Sequence, residues 1–305
     1  MIAAVLIVIA SLFFTGIVIR IKSIASGRKG PGILQPLRDI LRNLRKGSVY
    51  SETTSFVFQI APSVSMATLL VAMACVPLGG FPGLFSFRWD FVFFAYTLAL
   101  GKFLMVIAAL DTGSSFEGMG ASREALFSLL LEPAFFTVMG SFALFTGYGS
   151  FVEIFGALHG IAGRSGATTL TLAVLAALVT MLVGMVENSR MPVDDPKTHL
   201  ELTMIHEVMI LDNSGFDLGI IMYGSCLRFA LYGALAANLF IFPGTGIVAA
   251  SAIFLATQIF YAVFIGIMES VMARFRMRQN PQFIYTITAA TLLIFLAAVL
   301  LTGNK

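Results

Sequence analysis

Charged residues are scarce in this sequence: Asp, Glu, Lys and Arg make up 11% of its 305 residues, whereas 58% are hydrophobic. An average soluble domain is about one quarter charged, so the composition excludes an ordinary soluble globular protein. Uncharged apolar stretches of about 18 residues or more recur along the chain, and this is the length that a helix needs to cross a bilayer. The sequence therefore predicts a polytopic integral membrane protein.

Cysteine is almost absent as well. The two cysteines, Cys75 and Cys226, lie far apart inside apolar runs, and the sequence has no CxxC pattern. Iron–sulfur and zinc sites usually take their thiolates from closely spaced cysteines, so this chain's own thiolates can form neither. We interpret both cysteines as packing residues and expect no cofactor or metal site in this chain. Any electron transfer is then expected in partner subunits.

Eight apolar segments are predicted to cross the membrane as helices. Lipid permits only helices or closed barrels, and the segments are too long and continuous for the short alternating strands of a barrel. We therefore expect an all-α polytopic fold and a single membrane domain, residues 1–305. The predicted spans are about 2–20, 57–81, 91–110, 125–147, 167–186, 218–241, 247–268 and 283–302.

Basic residues indicate the orientation, because cytoplasmic loops carry an excess of Lys and Arg. Loops that follow odd-numbered spans contain fourteen basic residues, whereas the opposite side has three, Arg88, Arg164 and Lys305. This asymmetry predicts that the loops after odd-numbered spans are cytoplasmic and that both termini face outward. We expect the chain to lie in the cell's inner (plasma) membrane. The major predicted cytoplasmic loops are residues 21–56, 111–124 and 187–217.

The first of these loops contains an amphipathic pattern, GPGILQPLRDILRNLRKG, at residues 30–47. Its leucines and isoleucine recur at helical spacing with basic residues between them, which is typical of a helix lying at the lipid headgroups. The loop is either a simple positive anchor or a docking surface for a soluble partner. The candidate docking residues are Arg28, Lys29, Gln35, Pro36, Arg38 and Arg42.

The loop at 187–217 is acidic and is predicted to contain a helix at 196–211. Asp195 before Pro196 is typical of a helix start, and the sequence from Asp212 to Gly215 is typical of a stop. His199 and His206 would share one face of this helix, but about 10.5 Å apart along its axis, which is too far for one zinc ion. This spacing argues against a metal site.

Three ionisable residues, Lys102, Glu132 and Arg228, fall inside predicted spans. An ionisable group within the bilayer is expensive, and by default it marks an ion or proton pathway. The alternative for each residue is a structural ion pair between helices. The sequence leaves both interpretations open.

Three motifs occur in a recognisable order: GRKGPGILQP in the first loop, LDTGSSFEGMGASRE followed by LEP at 131–133, and ENSRMPVD at 187–194. They resemble motifs of the family that contains complex I subunit 1 and the matching membrane subunit of energy-converting NiFe hydrogenases. Lys197 and His199 stand where complex I subunits tend to carry glutamates, and the first-loop motif is shorter. Both features are closer to the hydrogenase-like branch, which includes formate hydrogenlyase subunit 4.

The resemblance implies a non-catalytic subunit that anchors an iron–sulfur arm and couples its electron transfer to proton or sodium translocation. The implied partners are hydrogenase-like large and small subunits, an iron–sulfur subunit, antiporter-like membrane subunits and the lipid bilayer, but not nucleic acid. NiFe and iron–sulfur clusters would belong to these partners, and quinone binding at the same face stays open. The implied ion-coupling residues are Asp111, Glu117, Arg123, Glu132, Glu187, Arg190, Asp194, Glu201 and Glu207.

Three alternatives remain at this point. The chain could be the quinone-site subunit of a complex I-like dehydrogenase, a free-standing ion transporter, or a passive anchor whose acids only hold helices together. A transporter would be expected to hold its substrate between broken helices in the middle of the membrane. The acidic residues here are instead concentrated near one face.

Overall fold

A computed structural model describes residues 2–194 and 204–303, apart from the side chains of residues 160–169 and 303. Within these ranges the chain forms α-helices, one short 3-10 helix at Met277–Gln279, and no β-strand. The helices are α1 Ile2–Ala25, α2 Gln35–Leu44, α3 Phe56–Cys75, α4 Asp90–Asp111, α5 Ser115–Thr146, α6 Phe151–Glu187, α7 His206–Met209, α8 Gly215–Asn238, α9 Ile247–Val271 and α10 Asn280–Gly303.

Eight of these helices, all except α2 and α7, contain segments that are long and apolar enough to cross a membrane. The predicted all-helical fold with eight spans is confirmed, and the chain is a multi-pass membrane protein. Three predicted span boundaries were wrong: the end of the second span, the start of the fourth and the start of the fifth. The second span ends at Cys75 rather than residue 81, since Val76 precedes Pro77 and adopts extended backbone, as residues before proline tend to do.

The segment 111–124, predicted as a loop, is a loop only at residues 112–114. Gly113 has a positive φ of 70°, which glycine adopts without a steric penalty and which lets the chain turn sharply. Residues 115–124 are therefore the first turns of α5, and their acidic side chains are carried on a helix.

Helix α6 begins at Phe151, well before the predicted start at residue 167. The buried carboxylate of Asp90 accepts hydrogen bonds from the Phe151 backbone N–H at 2.8 Å and from Ser150 Oγ at 3.0 Å. The first of these bonds satisfies a backbone donor at the start of α6 that the helix itself leaves free. Asp90, at the start of α4, thus fixes where α6 begins.

The helix predicted at 196–211 is much shorter in the part that the structure describes. Met204 and Ile205 are not helical, and α7 covers only His206–Met209. The backbone N–H groups of Ile205 and His206 donate to the carboxylate of Asp194 instead. The predicted residues 196–203 lie outside the described residues.

The amphipathic helix predicted in the first loop is confirmed as α2, Gln35–Leu44. It packs against α8, with Ile40 buried, and Gly219 of α8 leaves room for Leu44. Elsewhere α3 packs against α4, α10 against α5, and α1 against α9. Helices α4 and α6 both pack against α5, and this packing places charges from the three helices beside one another.

Candidate functional site

Lys102, in the middle of α4, contacts two carboxylates from other helices. Its Nζ lies 2.8 Å from Glu187 Oε2 and 3.2 Å from Glu124 Oε1, and it donates to Ser128 Oγ at 3.0 Å. The side chains of Lys102, Glu124 and Glu187 are 12%, 6% and 12% exposed. One ammonium group thus pairs with carboxylates from two other helices, and the triad joins α4, α5 and α6.

A cavity of about 40 Å³ adjoins this triad and is lined by Lys102, Ser128, Glu132, Glu187 and Tyr232, among others. This volume is enough for a water molecule with polar partners. Glu132 is exposed on the outer surface of α5, at the edge of the cavity. The cavity thus brings the predicted residues Glu132 and Glu187 to one site, together with Lys102.

A second buried charge cluster lies around Glu269, at the end of α9. Its carboxylate is 2.8 Å from Lys22 Nζ of α1 and 3.6 Å from Arg190 Nη1, and its side chain is fully buried. The Arg190 guanidinium also lies over the ring of Phe229, 5.0 Å from its centroid. This cluster ties α1 and α9 to the segment after α6.

Asp194 forms the third buried group. Its carboxylate pairs with Arg274 at 2.9 Å and accepts the N–H groups of Ile205 and His206 at 3.0 and 3.2 Å. Asp194 is 1% exposed. It therefore joins the segment before α7 to the segment after α9.

The other predicted ion-coupling residues hold backbone groups or line a different cavity. Asp111 accepts the Ser55 N–H at 2.7 Å, buried Glu117 accepts the Asp212 N–H at 3.0 Å, and Arg123 donates to the Met204 carbonyl at 2.9 Å. Glu207 lines a cavity described below. Glu201 lies outside the described residues. The ion-coupling role of the whole set stays a prediction.

A larger cavity of about 220 Å³ lies among α1, α2, α7 and α8. Its polar lining includes Thr15, Arg190, His206, Glu207 and Ser225. His206 and Arg228 also line a smaller cavity of about 20 Å³. The imidazole of His206 therefore lies between the charged residues of the bundle and the larger cavity.

Burial is the main reason why the pKa of His206 is lowered from 6.5 to about 4; Glu124 opposes this shift, whereas Arg228, Lys102 and Arg190 add to it. An unfolded chain binds a proton on this imidazole below about pH 6.5, but the folded chain does so only near pH 4. Since the unfolded state then binds more protons, folding stability should fall as the pH falls from about 6.5 to about 4.

Replacing His206 by Gln should remove this part of the acid sensitivity. We expect the melting temperature of the purified wild-type protein to decline, relative to that of H206Q, as the pH is lowered from about 7 to about 5. Thermal melts in detergent at matched ionic strength measure the difference. Parallel curves for the two proteins over this range would show that His206 does not titrate differently on folding.

The candidate docking residues lie on or near α2. Arg28, Lys29, Arg38 and Arg42 are exposed. Gln35 donates to Asp39 Oδ1 at 3.1 Å, Arg42 lies 3.1 Å from the same oxygen, and Pro36 lines the 220 Å³ cavity. Exposed guanidinium and ammonium groups beside a cavity agree with a docking surface, which stays a prediction.

Glu124 and Glu269 were not among the sequence-based candidates. Glu124 was assigned to a loop, and the helical spacing of seven residues between Glu117 and Glu124 could have placed it on a buried face of α5. Glu269 is an acidic residue in an apolar span, which is itself a signal for a functional or paired charge. The two cysteines are free and buried, in agreement with packing roles.

The model of the protein family described as NADH dehydrogenase matches residues 1–300 of this chain. The chain belongs to this family. The resemblance to the complex I subunit 1-like family, which the loop motifs indicated, is therefore confirmed.

Curated relatives of this family member include two proteins of Escherichia coli (strain K12). Hydrogenase-4 component C is 30% identical over 238 residues, which are 78% of this chain and 73% of the relative. Formate hydrogenlyase subunit 4 is 27% identical over 262 residues, which are 84% of this chain and 83% of the relative. Similarity thus extends to the hydrogenase-like branch that the motifs indicated.

Other curated relatives are subunits of NADH-quinone oxidoreductases. A subunit of the NADH-quinone oxidoreductase of Bordetella avium (strain 197N) is 26% identical over 216 residues, which are 69% of this chain and 60% of the relative. Among solved structures, a chain of the membrane-bound sulfane sulfur reductase, an archaeal respiratory membrane complex, aligns with a TM-score of 0.78 at 20% identity. The alignment covers 97% of this chain and 98% of that one, and it shows a shared fold.

Proposed function

We propose that this chain is the membrane anchor and ion-coupling subunit of a multisubunit hydrogenase-like oxidoreductase of the group 4 NiFe type. It would link electron transfer in a docked iron–sulfur arm to the translocation of protons or sodium ions. The observation that supports this proposal is the buried triad of Lys102, Glu124 and Glu187 beside a cavity at Glu132. Such a site can exchange a cation or proton inside the membrane, where isolated charge is expensive.

The similarity to Hydrogenase-4 component C and formate hydrogenlyase subunit 4 supports the hydrogenase-like assignment. We expect large and small hydrogenase-like subunits, an iron–sulfur subunit and antiporter-like membrane subunits as partners. We expect the complex to lie in the inner (plasma) membrane, and the excess of basic residues supports a cytoplasmic position for the loops at 21–56 and 187–217. The exposed arginines of α2 would then face the soluble arm.

Replacing Glu132 by Gln should abolish ion translocation while the complex still assembles. The amide keeps the size of the side chain but cannot carry the proton or the charge. The measurement is the number of ions moved per electron transferred by the intact complex in sealed liposomes. Glu153→Gln is the matched control, because Glu153 is an exposed carboxylate at the first turn of α6. Unchanged translocation in E132Q would refute this role of the site.

The composition of the purified complex tests the rest of the proposal. Gentle solubilisation of the tagged chain, followed by mass spectrometry and metal analysis, should recover nickel, iron and a large-subunit homologue. A large subunit with iron–sulfur partners but no nickel would favour a different electron acceptor. A chain that purifies alone and stable would make a free-standing transporter the better assignment.

A second candidate function is the quinone-site subunit of a complex I-like dehydrogenase. The cavity of about 220 Å³ favours it, because apolar walls from α1, α2 and α8 meet the polar groups of Arg190, His206 and Glu207 there. Such a mixture is typical of a site for an apolar ligand with a polar head. A purified complex without nickel whose activity depends on added quinone would establish this function instead.

A further inference from the structure

One face of α5 presents a carboxylate to the surroundings of the bundle in the middle of a transmembrane helix. Glu132 lies about 25 Å along the axis from the start of α5 and about 21 Å from its end. It is exposed, as is its neighbour Leu129. Within the described part of the chain, Glu132 forms no ion pair. A carboxylate in such a position is not expected to face lipid tails.

A second acceptor lies on the same face. Pro133 has no backbone N–H, so the carbonyl oxygen of Leu129 does not receive the usual helical hydrogen bond from residue 133. Residues 129, 132, 133, 136 and 140 follow one another at helical spacing. The middle of this face therefore carries a carboxylate and a carbonyl that lacks its usual helical donor, and a donor from outside the chain could bind either.

An apolar groove of about 520 Å³ lies between α5 and α10, and its lining begins at Phe136, about one helical turn from Glu132. Phe136 lines both this groove and the charged cavity that holds Lys102 and Glu132. At Gly140 a Cβ atom would meet nothing within 4 Å, so the groove is open there. The lining residues of the groove are Phe136, Thr137, Gly140, Ser141, Leu144, Leu292 and Phe295.

Small residues along a helix let a second helix approach closely within a membrane, and Thr137 and Gly140, both partly exposed, supply them here. A similar groove of about 460 Å³ between α6 and α9 has no charged residue in its lining. Lipid chains can cover that second groove without cost. The lining of the α5–α10 groove also contains no charged residue, but its Phe136 lines the cavity of Glu132 as well, so the carboxylate lies about one helical turn from this groove.

We propose that the α5–α10 groove is the docking site for a transmembrane helix of a neighbouring subunit, which places a Lys, Arg or other donor side chain against Glu132. This inference rests on the proposed function, because the proposed function includes neighbouring membrane subunits. It goes further by naming the face of contact and the chemistry of the contacting residue. The docked helix would also close the cavity to lipid.

Replacing Gly140 by Leu tests this proposal in the whole complex. The larger side chain enters open space, so we expect this chain to fold and insert normally but to lose the neighbouring membrane subunit on purification. Ala256→Leu is the matched control, since Ala256 is exposed in the α6–α9 groove. We expect A256L to keep the full set of subunits. Loss in both variants, or retention in both, would overturn the proposal.

A photo-crosslinking amino acid at Leu292 supplies a second measurement, because this exposed side chain lines the groove. In the purified complex it should link to a transmembrane peptide that contains a basic or other donor residue. Crosslinks to lipid alone would show that the groove holds lipid and would overturn the proposal. The outcome is separable from that of E132Q, because the amide in that variant can still accept a hydrogen bond from the docked donor, and its subunits are counted before translocation is measured.

Discussion

Replacing Lys102 by Met should prevent the chain from accumulating as a stable membrane subunit. The substitution leaves Glu124 and Glu187 facing each other without their shared cation, 6% and 12% exposed. Removal of one partner from a buried ion pair typically destabilises a protein by about 3–5 kcal/mol. A single domain has a net stability of only about 5–15 kcal/mol. Immunoblots of membranes and thermal melts of the purified complex measure the loss.

Two further variants make the Lys102 prediction specific. Arg42→Met removes one partner of an exposed pair, since Arg42 and Asp39 are 68% and 32% exposed, and it should change stability by less than about 1 kcal/mol. The double variant K102M/E187Q should recover part of the lost stability, because one of the two acids is then neutral. If K102M were as stable as R42M, the triad would not hold these helices together.

Replacing Asp194 by Ala should release the segment before α7. The substitution removes the acceptor of two backbone N–H groups and leaves Arg274 without this carboxylate. Because Asp194 is 1% exposed, we expect a loss of about 3–5 kcal/mol, as for other buried charge pairs. Hydrogen exchange of the amides at 204–209 should become faster, and the melting temperature should fall.

Asp212→Ala is the control for this second prediction. Asp212 is also acidic and close to α7, but its side chain is exposed and its backbone N–H makes the bond to Glu117. Exchange at 204–209 should therefore stay at the wild-type rate in D212A. Equal exchange in D194A and the wild-type protein would mean that other contacts hold this segment in place.

Much of the fold followed from the sequence because the signals for it are local. Apolar stretches of sufficient length predicted all eight spans, and the spacing of Leu37, Ile40, Leu41 and Leu44 predicted α2. The boundaries that were wrong depend on distant contacts. Asp90 fixes the start of α6 at Phe151, 61 residues later in the chain, and no local pattern at 151 contains this information.

The sequence predicted several residues of the candidate site, but not which of them form ion pairs with one another. Lys102 and Glu132 stood out because charge inside an apolar span is rare and costly, and Glu187 was identified from its motif. Asp111 and Glu117 belonged to a motif too, but the structure uses them to accept backbone N–H groups. Glu269 ended an apolar span and was overlooked, although it forms the centre of a buried cluster.

The sequence by itself determined that this chain spans the membrane eight times and carries acids and bases inside those spans, because hydropathy and charge belong to each segment separately. Only the tertiary structure decided that Lys102 meets Glu187, 85 residues away, as well as Glu124. It also decided that Glu132 is exposed about one helical turn from an open groove that begins at Phe136. Such pairings depend on how helices pack and rotate against one another. The periodicity of a single helix shows which of its faces is apolar, but not which residues of other helices that face contacts.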